Sequence, residues 1–175
     1  MILGRWLKSK RGKSEKKPGY SGIRRYRARD LPELRRIAVE SFDGVCSEQN
    51  VEEAFGKLGG SDWRDRLSLC IERDIQWWPE GVFVAEHDGR VVGFVSTATD
   101  RATRTGHIRN LAVAEEYRSR GIGRALIEEA QNYFRNNGMK FARIETLEQN
   151  ERCVGLYPAL GFTEVGRQVL FFKEL

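Results

Sequence analysis

The stretch Arg118-Ser119-Arg120-Gly121-Ile122-Gly123-Arg124-Ala125-Leu126 constrains this chain most, because it opens a helix with two glycines set among three arginines. The first turn of a helix leaves backbone N–H groups unpaired and carries the positive end of the dipole, so an anion is favoured there. Glycine at 121 and 123 lets ligand oxygens approach the backbone, and Arg118, Arg120 and Arg124 stand at the rim to pair with them. The pattern describes a cradle for a phosphate-bearing cofactor.

Downstream, Gly121 to Asn137 reads as an amphipathic helix, with Ile122, Ala125, Leu126, Ala130, Tyr133 and Phe134 near one face and Gly138 in the stop position. Upstream, His107 to Ala114 reads as a strand, and Lys140 to Leu147 alternates and is rich in β-formers. The unit strand, loop, helix, strand predicts a parallel strand pair. A dinucleotide fold is the rival, with Glu145 as its ribose-binding acid. That fold needs a third glycine where Leu126 stands and a very short turn after the strand, whereas the seven residues Ala114 to Arg120 precede Gly121 here.

The remaining chain supplies a first strand at Ile23 to Arg29 and then a helix. Asp30 is expected as N-cap, Glu33 sits three residues on, and Leu31, Leu34, Ile37, Ala38 and Phe42 form the apolar face. Ser41 to Ser61 reads as a long mixed loop ending in the glycines 56, 59 and 60. A second helix spans Asp62 to Trp77, with Trp63, Leu67, Cys70, Ile71 and Ile75 at helical spacing. Val82 to Glu86 and Arg90 to Ala98 flank His87-Asp88-Gly89, a strong hairpin signal. A helix after Asn150 and a final strand or hairpin over Thr163 to Leu175 complete the order.

Arg118-x-x-Gly121-x-Gly123 is similar to the hallmark of the GNAT superfamily of acyl-CoA-dependent N-acetyltransferases: Arg or Gln, two residues, Gly, one residue, then Gly or Ala. The resemblance continues through Asn150 and Leu156-Tyr157-Pro158-Ala159-Leu160-Gly161-Phe162, which is similar to the family's Asn, six residues, Leu-Tyr-x-x-x-Gly-Phe. It covers residues 23–175 and implies an α/β (α+β) fold. That fold is a mixed, mostly antiparallel sheet of six to seven strands, flanked by about four helices and holding a parallel, splayed strand pair at the cofactor site. It also implies acetyl-CoA as cosubstrate and a primary amine as acceptor, attacked directly in a ternary complex. A non-catalytic acyl-CoA-binding regulatory module is the alternative within the same fold.

The resemblance further implies which residues hold the cofactor. Leu111, Ala112 and Val113 would bond the pantetheine arm through their backbone, with an N–H near Leu111 as oxyanion donor. The loop Arg118, Ser119, Arg120, Gly121, Ile122, Gly123 and Arg124 would take the diphosphate. Asn150 would contact the arm or cap the next helix.

Transfer to an amine requires the amine to lose a proton and the thiolate to gain one. Tyr157, placed by the resemblance beside the thioester sulfur, is the expected acid, with Pro158 a departure that would remove a helical N–H bond and kink the helix. His107 is the leading base, at the position where histone-type relatives carry glutamate, and an imidazole ordinarily titrating at about 6.5 suits the task. Ribosomal-protein N-terminal acetyltransferases place their glutamate two residues earlier, where Thr105 stands, and Glu86 is the next possibility here. The acceptor is expected to be a peptide or protein amine, or a bulky small molecule, because the short ending Gly166-Arg167-Gln168 leaves the cleft open.

Length predicts one domain, 23–175, preceded by a basic, flexible tail, 1–22. Residues 1–17 carry seven basic side chains against Glu15 alone, a net of +6. The whole chain is +5, so the rest sums to −1. The basic balance belongs to the tail, which would suit RNA or an anionic membrane surface, and the body gives no charge argument for nucleic acid. Cys46, Cys70 and Cys153 show no metal-ligand spacing and His87 and His107 are the only histidines, so no metal site is expected. The chain reads as cytoplasmic, without a segment long enough to span a membrane.

Overall fold

The computed structural model describes residues 20–175. The basic segment 1–17, with the anionic partner expected for it, lies outside the described residues. Strands β1 (Gly22–Arg25), β2 (Val82–His87), β3 (Arg90–Asp100), β4 (Thr105–Val113) and β5 (Phe141–Ile144) form one sheet in chain order. The first three junctions are antiparallel and β4 pairs with β5 in parallel. Asp88 and Gly89 turn the β2–β3 hairpin with φ of 48° and 77°, the left-handed pair that a two-residue turn requires. Among the described residues, five α-helices accompany the sheet: α1 (Leu31–Phe42), α2 (Ser47–Phe55), α3 (Trp63–Trp77), α4 (Ile122–Asn136) and α5 (Glu151–Leu156).

The core has two layers because strand alternation sends successive side chains to opposite faces. Val82, Val84, Val91, Phe94 and Ala112 pack against α1 and α3, whereas Phe83, Ala85, Val92, Val95 and Ile108 pack against Ile122, Leu126, Ala130 and Phe134 of α4. Sandwiched between both layers, β3 is buried without a break from Val91 to Ala98. The run reads as a strand covered on both faces.

One irregularity sets the geometry of β4. Ser96 of β3 faces Asn110, but Thr97 faces Ile108, so Arg109 is an extra residue in β4, a bulge. The bulge resets the alternation. Ile108 faces α4, and so do Leu111 and Val113, while His107, Asn110 and Ala112 face α1 and α3.

Asp30 departs from its expected role. Its side chain makes no cap bond to α1. It accepts instead from the Arg24 guanidinium (2.7 and 3.0 Å) and the Arg27 N–H (2.8 Å), because a two-point charged partner outcompetes a lone helical N–H. Burial opposes that carboxylate, yet the Arg24 and Arg27 bonds hold its pKa below the ordinary value. Arg24 also reaches Glu86, at 2.5 Å, tying β1 to β2.

The stretch expected as a loop over 41–61 contains α2. Its anchor is ionic: Arg66 of α3 bonds Glu48 (2.9 Å), Glu52 (3.1 Å), the Glu48 carbonyl (2.8 Å) and the Ser61 carbonyl (2.7 Å). Hydrophobic periodicity is weak there, with Val51 its one buried residue, so the pattern did not register as helical. Residues 163–175 form no strand, which leaves five strands where six to seven were expected. Arg167 pairs with Glu164 and Glu148, anchoring the segment outside the sheet, and Phe172 meets the ring of Phe55 at 5.3 Å.

Gly106 lies against Phe134, where an added Cβ would stand 2.3 Å from ring carbons. Phe134 is 2% exposed and has nowhere to retreat. Gly106→Ala is therefore expected to destabilise the protein by about 1–3 kcal/mol in urea unfolding, the cost of overpacking. An unchanged midpoint would contradict the packing described here.

Candidate active site

At the centre of the molecule is a length of strand edge that, among the described residues, has no strand beside it. The Ala114 N–H bonds the Val92 carbonyl at 2.9 Å, so antiparallel alternation turns the polar backbone of Ala112 and Asn110 toward β3 and that of Leu111 and Val113 away from it. On that outer side β5 pairs with β4 only from Thr105 to Ile108. Beyond Ile108 the parallel pair opens, and Leu111 and Val113 face the gap. Of the three residues expected to bond a pantetheine arm through their backbone, Ala112 instead spends its polar groups on β3 and contributes a buried methyl, 3% exposed.

Past β4 the chain makes a single helical turn at Glu115–Tyr117 and enters α4 through Ser119 (φ 61°) and Gly121 (φ 83°). The first bond inside α4 runs from the Ala125 N–H to the Gly121 carbonyl, at 3.0 Å, so the N–H groups of Ile122, Gly123 and Arg124 have no helical acceptor. The two glycines serve different ends. Gly121 needs its left-handed φ. Gly123 has an ordinary helical backbone, and a Cβ there would meet only Val113 Cγ2, at 3.9 Å. Nothing within the protein demands a glycine at 123, and its missing side chain leaves open space beside the helix N-terminus.

The arginines divide as well. Arg118 turns inward: its Nε donates to the Val113 carbonyl (3.0 Å) and its Nη2 to Ser41 Oγ (3.2 Å), and Ser41 also donates to that carbonyl (3.2 Å). It braces the end of β4 against α1, where a position on the rim was expected. Arg120 lies over the Tyr117 ring at 5.2 Å and donates to the Glu116 carbonyl (2.7 Å), and Arg124 is exposed. These two cations flank the free N–H groups.

Tyr157 follows α5 directly. Asn150 caps that helix, its side-chain oxygen accepting the Cys153 N–H at 3.3 Å, which is the capping half of its expected role. The helix ends at Leu156 and Pro158 opens a separate turn, Pro158–Leu160, so the proline interrupts no helical bond and Tyr157 keeps right-handed dihedrals. The expected kink is absent because the helix stops first. The Tyr157 ring packs on the α4 side of the sheet beside Phe162, 6.0 Å away. Burial, with the neighbouring Cys153 thiol, pushes its phenol well above the ordinary value, so it stays protonated.

His107 sits one residue before β5 leaves β4, half-buried on the opposite face of the sheet from Tyr157. Glu86 is not brought to the opening: β3 separates its strand from β4, and Arg24 engages it. A polar cluster went unread in the sequence. Asp74 of α3, 9% exposed, accepts from Asn110 Nδ2 (3.0 Å) and from Arg109 Nη2 (3.5 Å), with Arg109 Nε 3.4 Å away as the rest of the ion pair. The bulge at Arg109 is what turns Asn110 toward Asp74.

The connection between β5 and α5 is tied to α2. Gln149 exchanges amide hydrogen bonds with Asn50 of α2 (3.0 Å each) and donates to the Gly44 carbonyl (2.8 Å). Among the described residues, no group of three or more His, Cys, Asp or Glu is placed to hold a metal ion, and no helix is long and apolar enough to cross a membrane.

A sheet that opens beside a glycine-bearing helix N-terminus defines an acyl-CoA-binding class of fold, and the comparisons agree. The chain belongs to the acetyltransferase (GNAT) family, whose model matches residues 48–162. It is 31% identical over 140 residues to an uncharacterized N-acetyltransferase of Archaeoglobus fulgidus, covering 77% of this chain and 88% of that one. It is 32% identical over 101 residues to N-alpha-acetyltransferase 30 of Schizosaccharomyces pombe, covering 56% and 67%. In fold it is similar to the PaiA N-acetyltransferase of Thermoplasma acidophilum in complex with coenzyme A, with a TM-score of 0.65 at 22% identity over 81% of this chain and 89% of that one. The protein is therefore an acyltransferase with acetyl-CoA as cosubstrate, and the dinucleotide reading falls.

Gly123→Leu separates ligand space from protein packing, because the hallmark admits alanine at this position but nothing larger. The free variant is expected to be as stable as the parent or more so, by up to about 1 kcal/mol of helix propensity, yet to lose most of its thermal stabilisation by acetyl-CoA, which Gly123→Ala keeps. Gly121→Ala is expected to lose about 1–2 kcal/mol of stability even without ligand, from its left-handed φ. Full acetyl-CoA stabilisation of Gly123→Leu would contradict the assignment of that space.

Proposed function

We propose that this protein transfers the acetyl group of acetyl-CoA to the α-amine of a peptide or protein, by direct attack in a ternary complex. The observation that carries this reading is the open edge at Leu111 and Val113, with Tyr157 on one face of the sheet and His107 on the other. A thioester lying in the gap would be reached by its leaving-group acid from the α4 side and by the amine and its base from the α1–α3 side.

The amine nitrogen bonds to the acyl carbon, and the carbonyl electrons move to an oxygen held by the Leu111 N–H. When they return, the C–S bond breaks with its pair on sulfur. His107 takes the proton released from nitrogen, and Tyr157 supplies one to the thiolate. A phenol ordinarily lies above a thiol of about 8.5 and burial raises this one further, so full proton transfer is uphill and the donated hydrogen bond does much of the stabilising.

An α-amine fits this site better than a lysine. With an ordinary pKa of about 7.7–8.0 it is partly neutral at physiological pH, while a lysine near about 10.4 is almost wholly charged, so a single half-buried imidazole suffices only for the first. Similarity to N-alpha-acetyltransferase 30 supports the same acceptor.

Thiol release from acetyl-CoA should be followed with peptides bearing a free α-amine and with N-terminally blocked peptides bearing lysine. The first set is expected to turn over and the second to lag by at least tenfold. Turnover confined to small polyamines or aminoglycosides would refute the acceptor. Tyr157→Phe is expected to lower kcat about 10–100-fold while leaving acetyl-CoA stabilisation intact. His107→Ala is expected to lower kcat/KM for a free-α-amine peptide about 10–100-fold while leaving acetyl-CoA stabilisation intact. An unchanged kcat/KM would remove His107 from the reaction.

A further inference from the structure

We propose that Asn110 is the residue that orients the incoming amine, and that Asp74 is the positioning residue that fixes its side-chain amide. The inference rests on the acetyl-transfer reading above and deepens it.

Arg109 is the extra residue of β4, so Asn110 comes round to the α1–α3 face immediately before Leu111, whose backbone N–H looks into the gap. There its Nδ2 lies 3.0 Å from Asp74 Oδ2 and 2.8 Å from Ser96 Oγ. A carboxylate accepts only, so it determines which end of the amide faces it. Both amide hydrogens are thereby committed, one to Asp74 and one to Ser96, and Oδ1 is left as an acceptor. Asp74 is 9% exposed and Ser96 1% exposed, and Arg109 supplies the counter-charge (Nε 3.4 Å, Nη2 3.5 Å), so the arrangement is built into the core.

A neutral primary amine attacks with its lone pair and has two N–H groups to place. Asn110 Oδ1 takes one of them on the face from which the amine arrives, aiming the lone pair at the gap, and the other remains to be lost to the base after attack. Asp74 touches no substrate. Its carboxylate prevents the amide from flipping and presenting Nδ2, a donor that would repel the amine hydrogens.

Three variants test this in the full-length protein, with a free-α-amine peptide and acetyl-CoA as substrates. Asn110→Ala leaves Asp74 paired with Arg109 and is expected to lower kcat/KM for the peptide about tenfold, the worth of one hydrogen bond. The acetyl-CoA-induced melting shift should be unchanged. Asp74→Asn keeps the shape and removes the charge that holds the amide, and should give a loss of the same kind.

The decisive readout is the double variant. If Asp74 acts through Asn110, Asp74→Asn adds nothing to Asn110→Ala. Additive losses would show a merely structural carboxylate, and parent-like rates in Asn110→Ala would overturn the proposal. If the parent protein acetylates no peptide amine at all, the underlying acetyl-transfer reading has failed, and that is seen before any variant is measured.

Discussion

Everything in this molecule depends on a strand edge that lacks a strand. Backbone N–H and C=O groups inside a fold are costly to leave unpaired, and a sheet normally continues until its edge reaches solvent. Here β4 is paired on both sides from Thr105 to Ile108 and on one side beyond. The protein holds that edge in place from elsewhere: Arg118 and Ser41 clamp the Val113 carbonyl, and the Arg109 bulge is tethered to α3 through Asp74. A ligand carrying its own amides could complete the ladder that β5 abandons.

The same opening explains why the two faces of the sheet carry different chemistry. On the α4 side are the free N–H groups of the helix and a half-buried phenol, an environment for an anion and a leaving thiol. On the α1–α3 side are His107 and the Asp74–Asn110–Ser96 cluster, an environment for an amine. In the proposed reaction a donor and an acceptor entering from opposite faces would meet only where the strands part, at the end of the β4–β5 pairing.

How much of this the sequence disclosed follows from the range of the interactions. The glycine and arginine loop, the hairpin at Asp88-Gly89 and helices α1, α3 and α4 are local, and each was read from spacing and turn chemistry. What escaped was held by long-range polar bonds. Helix α2 depends on Arg66 of α3, and Asp30 is drawn from its cap by Arg24. The inward turn of Arg118 answers to a carbonyl and a serine on other elements, and Asn110 points at Asp74 only because of a one-residue bulge. Tyr157 and His107 were named in advance through family resemblance. Their placement on opposite faces, and the removal of Glu86 to the far side of β3, required the fold.

Amide hydrogen exchange along β4, with and without saturating acetyl-CoA, tests the central claim most directly. The account predicts that Ala112 and Ala114 exchange slowly in both states, being bonded to β3. Leu111 and Val113 should exchange fast in the free protein and become protected when the cosubstrate binds. Slow exchange at Leu111 and Val113 in the free protein, or no change there on binding, would show that the strand edge is not where the acyl donor lies.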